Sequence, residues 1–401
     1  MSLLLWGSQG WLLDFVNSSP TPGFTRASSG TYLDSTGVLV TAAANAARFG
    51  YSTAGAKLGL LMEPTRDNLL LNSTMVGAVA GTPGTPPTGW TIQTVGLTLT
   101  IVGTGTEDGY NYIDARWSGT TVFGGMYLFL PQTLGVAAST GQTYTASGLL
   151  RLVAGSLTNA TLTLSVQELN AGLGVLASST QLVVPTSAAL KTQQHSLTRT
   201  LNQATTAKVR SQILGSVNGA VDFTLRYGWP QIELGTGASS RIATSTAAVQ
   251  RAVDLMGFGA SMNPGQGTVL VTYWPQVSAL GAVQNLFQLD DGTDDNAHAV
   301  QLTATGEAQV VCTAGGGATG TLTGTGVTAG AQRKICYSYG PAGFRMSQDG
   351  AALVTAAAGA LPRLAQARLG NNVAGTTPML GYQRSIQYWP VQRNDERALA
   401  A

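Results

Sequence analysis

The sequence predicts an all-β protein in which an irregular N-terminal module precedes two antiparallel β-sandwiches. Three observations lead there. Glycine contributes 51 of 401 residues while 10% of residues are charged, far below the about 25% of an average chain. A surface so poor in charge is coated with Thr, Ser and Gly, which suits wetted strand faces and turns. Apolar residues then recur with period two through the middle and last thirds of the chain, and turn residues interrupt them at short intervals.

The opening "MSLLLWGSQGWLLDF" is apolar, but Gly7, Gly10 and Asp14 break it before the ~20 apolar residues of a membrane span. It lacks the basic start of a secretory signal. It reads as a buried strand or docking peptide, with synthesis in the cytoplasm and no membrane insertion. Residues 1–75 read as one compact module, in which "TRASSGTYLDSTG" carries a hairpin signature. The Gly- and Pro-dense "VGAVAGTPGTPPTGW" then marks entry to a second domain, 76–245. In "ATLTLSVQEL", Leu162, Leu164 and Val166 share one face while Thr163, Ser165 and Gln167 take the other, the pattern of a half-buried antiparallel strand. Turn spacing allows about eight such strands, a sandwich of jelly-roll type. Residues 246–401 repeat the strand-and-turn pattern from "GTVLVTYWPQ" to "GYQRSIQYWP" and form a second sandwich. The convincing helical stretch is the last, "NDERALAA", with Asn394 as N-cap.

Composition narrows the chemistry. Net charge is +2 and the 21 basic residues are scattered, so there is no basic stripe for nucleic acid. Cys312 and Cys336 sit in apparent strands and read as buried free thiols, with a cross-strand disulfide as the alternative. His195 and His298 are the two histidines, and no G-x-S-x-G elbow presents a serine, which argues against a Ser-His-Asp triad and against zinc. "GGGATG" at 315–320 matches a dinucleotide fingerprint but runs into "TLTGTG", not into a phosphate-holding helix. The loop "QLDDGTDDNAH" gathers Asp290, Asp291, Asp294 and Asp295 ahead of His298. It reads first as an interstrand turn. A Ca²⁺ ion or glycan hydroxyls held by Asp290–Asp295 are the functional alternative, and catalysis comes last, because exposed turn carboxylates lack the burial that tunes a general acid. Aromatic residues point toward sugar stacking. Tyr110, Tyr112 and Trp117 lie beside Asp114 and Arg116, and Trp274 stands in the last domain; the structural alternative is that such rings are core anchors. In "GLLMEPTRDNLLLNST", Glu63, Arg66 and Asp67, followed by Asn68, form a charged knot in a charge-poor chain. It reads as a junction, with local ion pairs if the charges are exposed and charges that fix the register of subunits if an assembly buries them.

Three sets of residues resemble a known family. "FTRASSGTYLDSTGVLVTAAANAARFGY" with "GLLMEPTRDNLLLNST" resembles the N-terminal module of bacteriophage head-spike and tail-fibre proteins. "WPQIELGTGASSRIATSTAAVQRAVD" resembles the exit from a carbohydrate-binding-like jelly roll, and the final block resembles a concanavalin-A-like (laminin-G-like) domain, closing on "LGYQRSIQYWPVQRNDERALAA". The resemblance implies a non-enzymatic spike or fibre that docks on the virion through residues 1–75, with Glu63, Arg66, Asp67 and Asn68 at the attachment junction. It implies capsid, collar or tail proteins and host cell-surface polysaccharide as partners, with homo-oligomers, trimers above all. The rivals are a capsid or collar cement protein without a glycan ligand and a polysaccharide depolymerase.

Overall fold

The computed structural model describes residues 4–6, 10–17, 20–131 and 135–401. Among these, one single-turn 3-10 helix and one short helix, Glu396–Ala400, accompany strands that pair antiparallel throughout. Two compact units result. One comprises Met1–Ser35, Thr41–Thr65 and Ala252–Ala401, and the other Thr36–Val40 and Arg66–Arg251.

The discontinuous unit has two sheets. One runs Leu4–Trp6, Gly10–Asp14, Gly381–Trp389, Gly267–Pro275, Arg333–Gly340, Gly343–Gln348 and Val354–Ala356, with Lys57–Met62 also paired to Gly381–Trp389. The other runs Gly317–Gly326, Glu307–Ala314, Ala297–Leu302, Gln284–Asp290, Gln366–Leu369, Leu255–Gly259 and Phe24–Thr25. The expected boundary at residue 75 is therefore displaced. The N-terminal strands complete the last domain's sheets, because Trp11, Leu13, Phe15, Leu60 and Met62 bury their side chains in the same core as Val271, Phe287, Tyr337 and Ile386. Gly23 makes one of these additions feasible. Its φ is +65° and a Cβ there would lie 2.0 Å from the Gly257 carbonyl oxygen.

Charge enters this core as a closed network. Arg48 bonds Glu63 at 2.7 Å and Asp254 at 2.5 Å, and Arg26 bonds Asp254 at 3.1 Å, all four side chains being 0% exposed. Burial alone would lower the pKa of Arg48; its two carboxylate partners outweigh that and hold it raised. The expected local pairing of Glu63 with Arg66 and Asp67 is corrected accordingly, since Glu63 pairs with Arg48. Arg66 instead donates to the Thr236 carbonyl at 3.2 Å, and Asp67 accepts from Gln250 at 3.1 Å. Asn68 is fully buried. It donates to the carbonyls of Pro230 and Ile242 and accepts from the N–H groups of Leu70 and Ile232.

The second unit is built on two long strands, Tyr110–Pro131 and Lys208–Leu234, within one nine-stranded sheet. Trp117 and Phe129 share a strand, yet their ring centroids are 5.6 Å apart. Twelve residues of straight strand would span about 40 Å. The strand therefore folds back on itself, at the irregular pairing between Phe123 and Met126 that contains Gly124 and Gly125. The two halves enclose a core of Ile113, Trp117, Leu128, Phe129, Leu164 and Phe223.

The C-terminal helix begins one residue later than expected, with Asp395 at the N-cap and no capping bond from its side chain. Arg393 forks onto that carboxylate at 2.7 and 2.5 Å, which occupies it. Cys312 and Cys336 are buried free thiols on strands of different sheets.

Candidate functional site

A cleft of about 180 Å³ lies on the outer face of the sheet that contains Gln284–Asp290, Ala297–Leu302 and Glu307–Ala314. Its floor is Ala297, Ala299 and Val311, and its walls carry Asn285, Gln288, Asp294, Gln301, Asn372 and Thr377. A bulge in the pairing between Asn285 and Phe287 creates it. Leu286 and Phe287 both enter the core, so Asn285 and Gln288 both face outward. Such a two-for-one step is what a β-bulge does to strand parity.

Hydrogen bonding fixes the amides. Gln288 Nε2 donates to Asp294 Oδ1 at 2.9 Å and Asp290 Oδ2 at 3.3 Å. Its Oε1 is therefore the acceptor left for Asn285, whose Nδ2 donates to it at 2.6 Å. That arrangement leaves Asn285 Oδ1 buried with no hydrogen-bond partner among the described residues, as is Thr377 Oγ1. Asp294 accepts four bonds, from Gln288, Asn372 Nδ2, Val373 N and Ala374 N. These tie the acidic loop to residues 372–374.

The loop carboxylates are thus largely occupied. Asp290 is buried, and Arg368 forks onto it at 2.8 and 3.3 Å. Asp291 accepts from Thr293 Oγ1 at 2.6 Å and Asn296 Nδ2 at 2.9 Å, bonds that hold its carboxyl below the usual range. Among the described residues no three metal-ligating His, Cys, Asp or Glu side chains converge, here or elsewhere.

Several expected contact residues lie elsewhere. Asp290 is a buried strand end where an exposed turn was expected, because its charge is matched by Arg368. His298 points into the core, 2.6 Å from the Tyr337 hydroxyl and 4.4 Å, centroid to centroid, from the Tyr339 ring. Burial without a charge partner pushes its pKa down to about 3, so it is neutral and unavailable to a surface ligand. Trp274 lies in the opposite sheet and does not join the cleft.

In the second unit Trp117 is fully buried, its Nε1 donating to the Gln93 carbonyl. Tyr110 is buried edge-on against Trp229. Tyr112, Asp114 and Arg116 do share an outward face, as alternation requires, but the face is closed by its own ions. Arg226 lies opposite Asp114 in the strand register and forks onto it at 2.8 and 2.7 Å. Its guanidinium covers the Tyr112 ring at 3.5 Å, where a sugar would have to stack. Glu107 accepts from Arg226 at 2.5 Å, Arg151 at 2.9 Å and Leu190 N at 2.7 Å. Burial works to raise the pKa of Glu107, and these donors win and lower it. Arg116 and Asp222 pair in the open at 2.7 and 2.6 Å.

No family model and no curated protein matches the chain. Solved structures do. The CBM40 of Ruminococcus gnavus IT-sialidase, bound to α2,3-sialyllactose, is 19% identical over 34% of this chain and 83% of that one, with a TM-score of 0.30. Domains LG4-5 of the mouse laminin α1 chain are 11% identical over 66% and 87%, with a TM-score of 0.26. The tandem CBM22 domains of Paenibacillus barcinonensis Xyn10C are 13% identical over 79% and 98%, with a TM-score of 0.24. The likeness is one of β-sandwich architecture.

The residues that build the cleft were only partly visible in the sequence. Asp294 belongs to the flagged acidic loop. Gln288 and Gln301 occupy outward positions of alternating strands, and "GNNVAGTT" is a polar turn, a neutral-amide pattern that points to hydroxyl recognition as well as aromatics do.

Proposed function

We propose that the chain is a non-enzymatic, carbohydrate-binding structural protein of a phage or phage-like particle, made in the bacterial cytoplasm and mounted as a spike or fibre on the virion. The observation that carries the binding part is the amide-lined cleft, two of whose lining residues, Asn285 and Thr377, each bury a polar oxygen, Oδ1 and Oγ1, that has no hydrogen-bond partner among the described residues. Sugar hydroxyls supply the missing donors and acceptors. The cleft binds and does not cut, in this reading, because Asp290 is held by Arg368 and Asp294 by four donors. Neither is placed to exchange a proton with a glycosidic oxygen, as a glycosidase pair must. The virion part rests on the quoted N-terminal and C-terminal strings. A small cleft is a weak site alone, and an oligomer presenting several would gain through avidity.

The test is binding of the full chain to a bacterial glycan array, with its oligomeric state measured by light scattering. Carbohydrate retention by an oligomer supports the proposal. A monodisperse monomer that binds empty capsids and no glycan favours the cement role. Release of reducing ends from capsule would point to a depolymerase.

A further inference from the structure

The chemistry of the cleft narrows the ligand further, on the strength of the carbohydrate reading above. We infer that it takes a single uncharged sugar unit through hydroxyl or amide donors and excludes sugars that carry a carboxylate.

Size sets the first limit. At about 180 Å³ the cleft is smaller than the roughly 300–1,000 Å³ of drug-sized sites, so it holds one ring and not a run of an extended chain. Its methyl floor of Ala297, Ala299 and Val311 accepts a ring face, and no aromatic side chain among the described residues lines it.

Polarity sets the second. The orientation of Gln288 is dictated by two carboxylates, which dictates that of Asn285 and leaves the Asn285 oxygen as an acceptor awaiting a donor. A buried oxygen of this kind demands a donor. A sugar hydroxyl or an acetamido N–H provides one, whereas a carboxylate brings more acceptors.

Charge sets the third. Asp294 accepts four hydrogen bonds, all from neutral amide or backbone N–H groups, and forms no salt bridge among the described residues, so no cationic side chain pairs with it at the wall. Asp291 and Asp295 stand in the same loop. The guanidinium of Arg368, at the start of the loop, is committed to Asp290. An anionic sugar would meet repulsion on one side and find its natural partner already taken.

Ligand-observed NMR and calorimetry on the full chain test this. The neutral probes are the methyl glycosides of galactose, glucose and N-acetylglucosamine; the anionic probes are glucuronic acid and N-acetylneuraminic acid. At least one neutral glycoside should bind at least tenfold more tightly than either acid. Asn285→Ala should weaken that binding at least tenfold, as should Thr377→Val, with near-UV circular dichroism unchanged; Thr377→Val guards against a folding defect in the first variant. Raised salt should narrow the gap between the two classes. An acid that binds as tightly as the neutral sugars, and is lost in Asn285→Ala, overturns the inference and leaves carbohydrate binding standing. Neutral binding that survives both substitutions also overturns it, by placing the sugar elsewhere on the chain. Failure of every probe, together with a blank glycan array, overturns the carbohydrate reading itself.

Discussion

His298 shows how much a single side chain's surroundings decide. It lies against Tyr337, Tyr339 and Phe344, with the Cys312 sulfur 3.7 Å from Nε2. Its pKa is pushed down to about 3 by burial, whereas the unfolded chain titrates at about 6.5. The unfolded state therefore binds a proton that the folded state excludes. This contribution is fully present above about pH 6.5 and is lost as pH falls from there toward about 3, by about 1.4 kcal/mol per pH unit. Urea midpoints measured from pH 7 to pH 4 should fall accordingly. His298→Gln keeps a polar partner for Tyr337 and should flatten that slope; an unchanged slope would remove His298 as its cause.

At the scale of elements, a buried ion network ties the N-terminal segments to the strand-and-loop framework near Asp254. Phe24–Thr25 pairs with Leu255–Gly259, and Lys57–Met62 with Gly381–Trp389. Arg26, just after Phe24–Thr25, and Arg48 both pair with Asp254, and Arg48 also pairs with Glu63, just after Lys57–Met62. Removing one member of such a set leaves an uncompensated buried charge, at a cost of about 3–5 kcal/mol. Arg48→Ala should therefore destabilise the discontinuous unit by about that much in urea unfolding. A loss under about 1 kcal/mol would mean that the network is solvated and adds little. The gain over an apolar core of equal volume is small by the same reasoning, so the network's contribution is to the placement of segments distant in sequence.

At the scale of the molecule, the chain order of the two units is informative. Apart from Thr36–Val40, the second unit is the continuous run Arg66–Arg251, which supplies its core, whereas the other unit is assembled from segments on both sides of that run. A chain trimmed to residues 66–251 should keep its β-rich circular dichroism and unfold in one cooperative step. A chain trimmed to 252–401 should not, since it lacks Trp11, Leu13, Phe15, Leu60 and Met62 from its core. A well-folded 252–401 fragment would restore the simpler reading of a free-standing last domain.

The sequence by itself determined the all-β class and much of the strand parity. Leu162, Leu164 and Val166 are buried where alternation put them, and Gly267–Pro275 follows "GTVLVTYWP" residue for residue. These are local properties, carried by side-chain period and turn residues that the chain displays without reference to any partner. Tertiary structure alone decided the site. The bulge that turns both Asn285 and Gln288 outward is a property of two strands in register, and simple alternation would have put them on opposite faces. Trp117, His298 and Asp290 read as surface chemistry in one dimension, and their burial depends on what lies across from each: Phe129, Tyr337 and Arg368. Glu63 found its partner 15 positions back in Arg48 and not among its neighbours. Long-range pairing chooses such partners, and period and composition do not encode it.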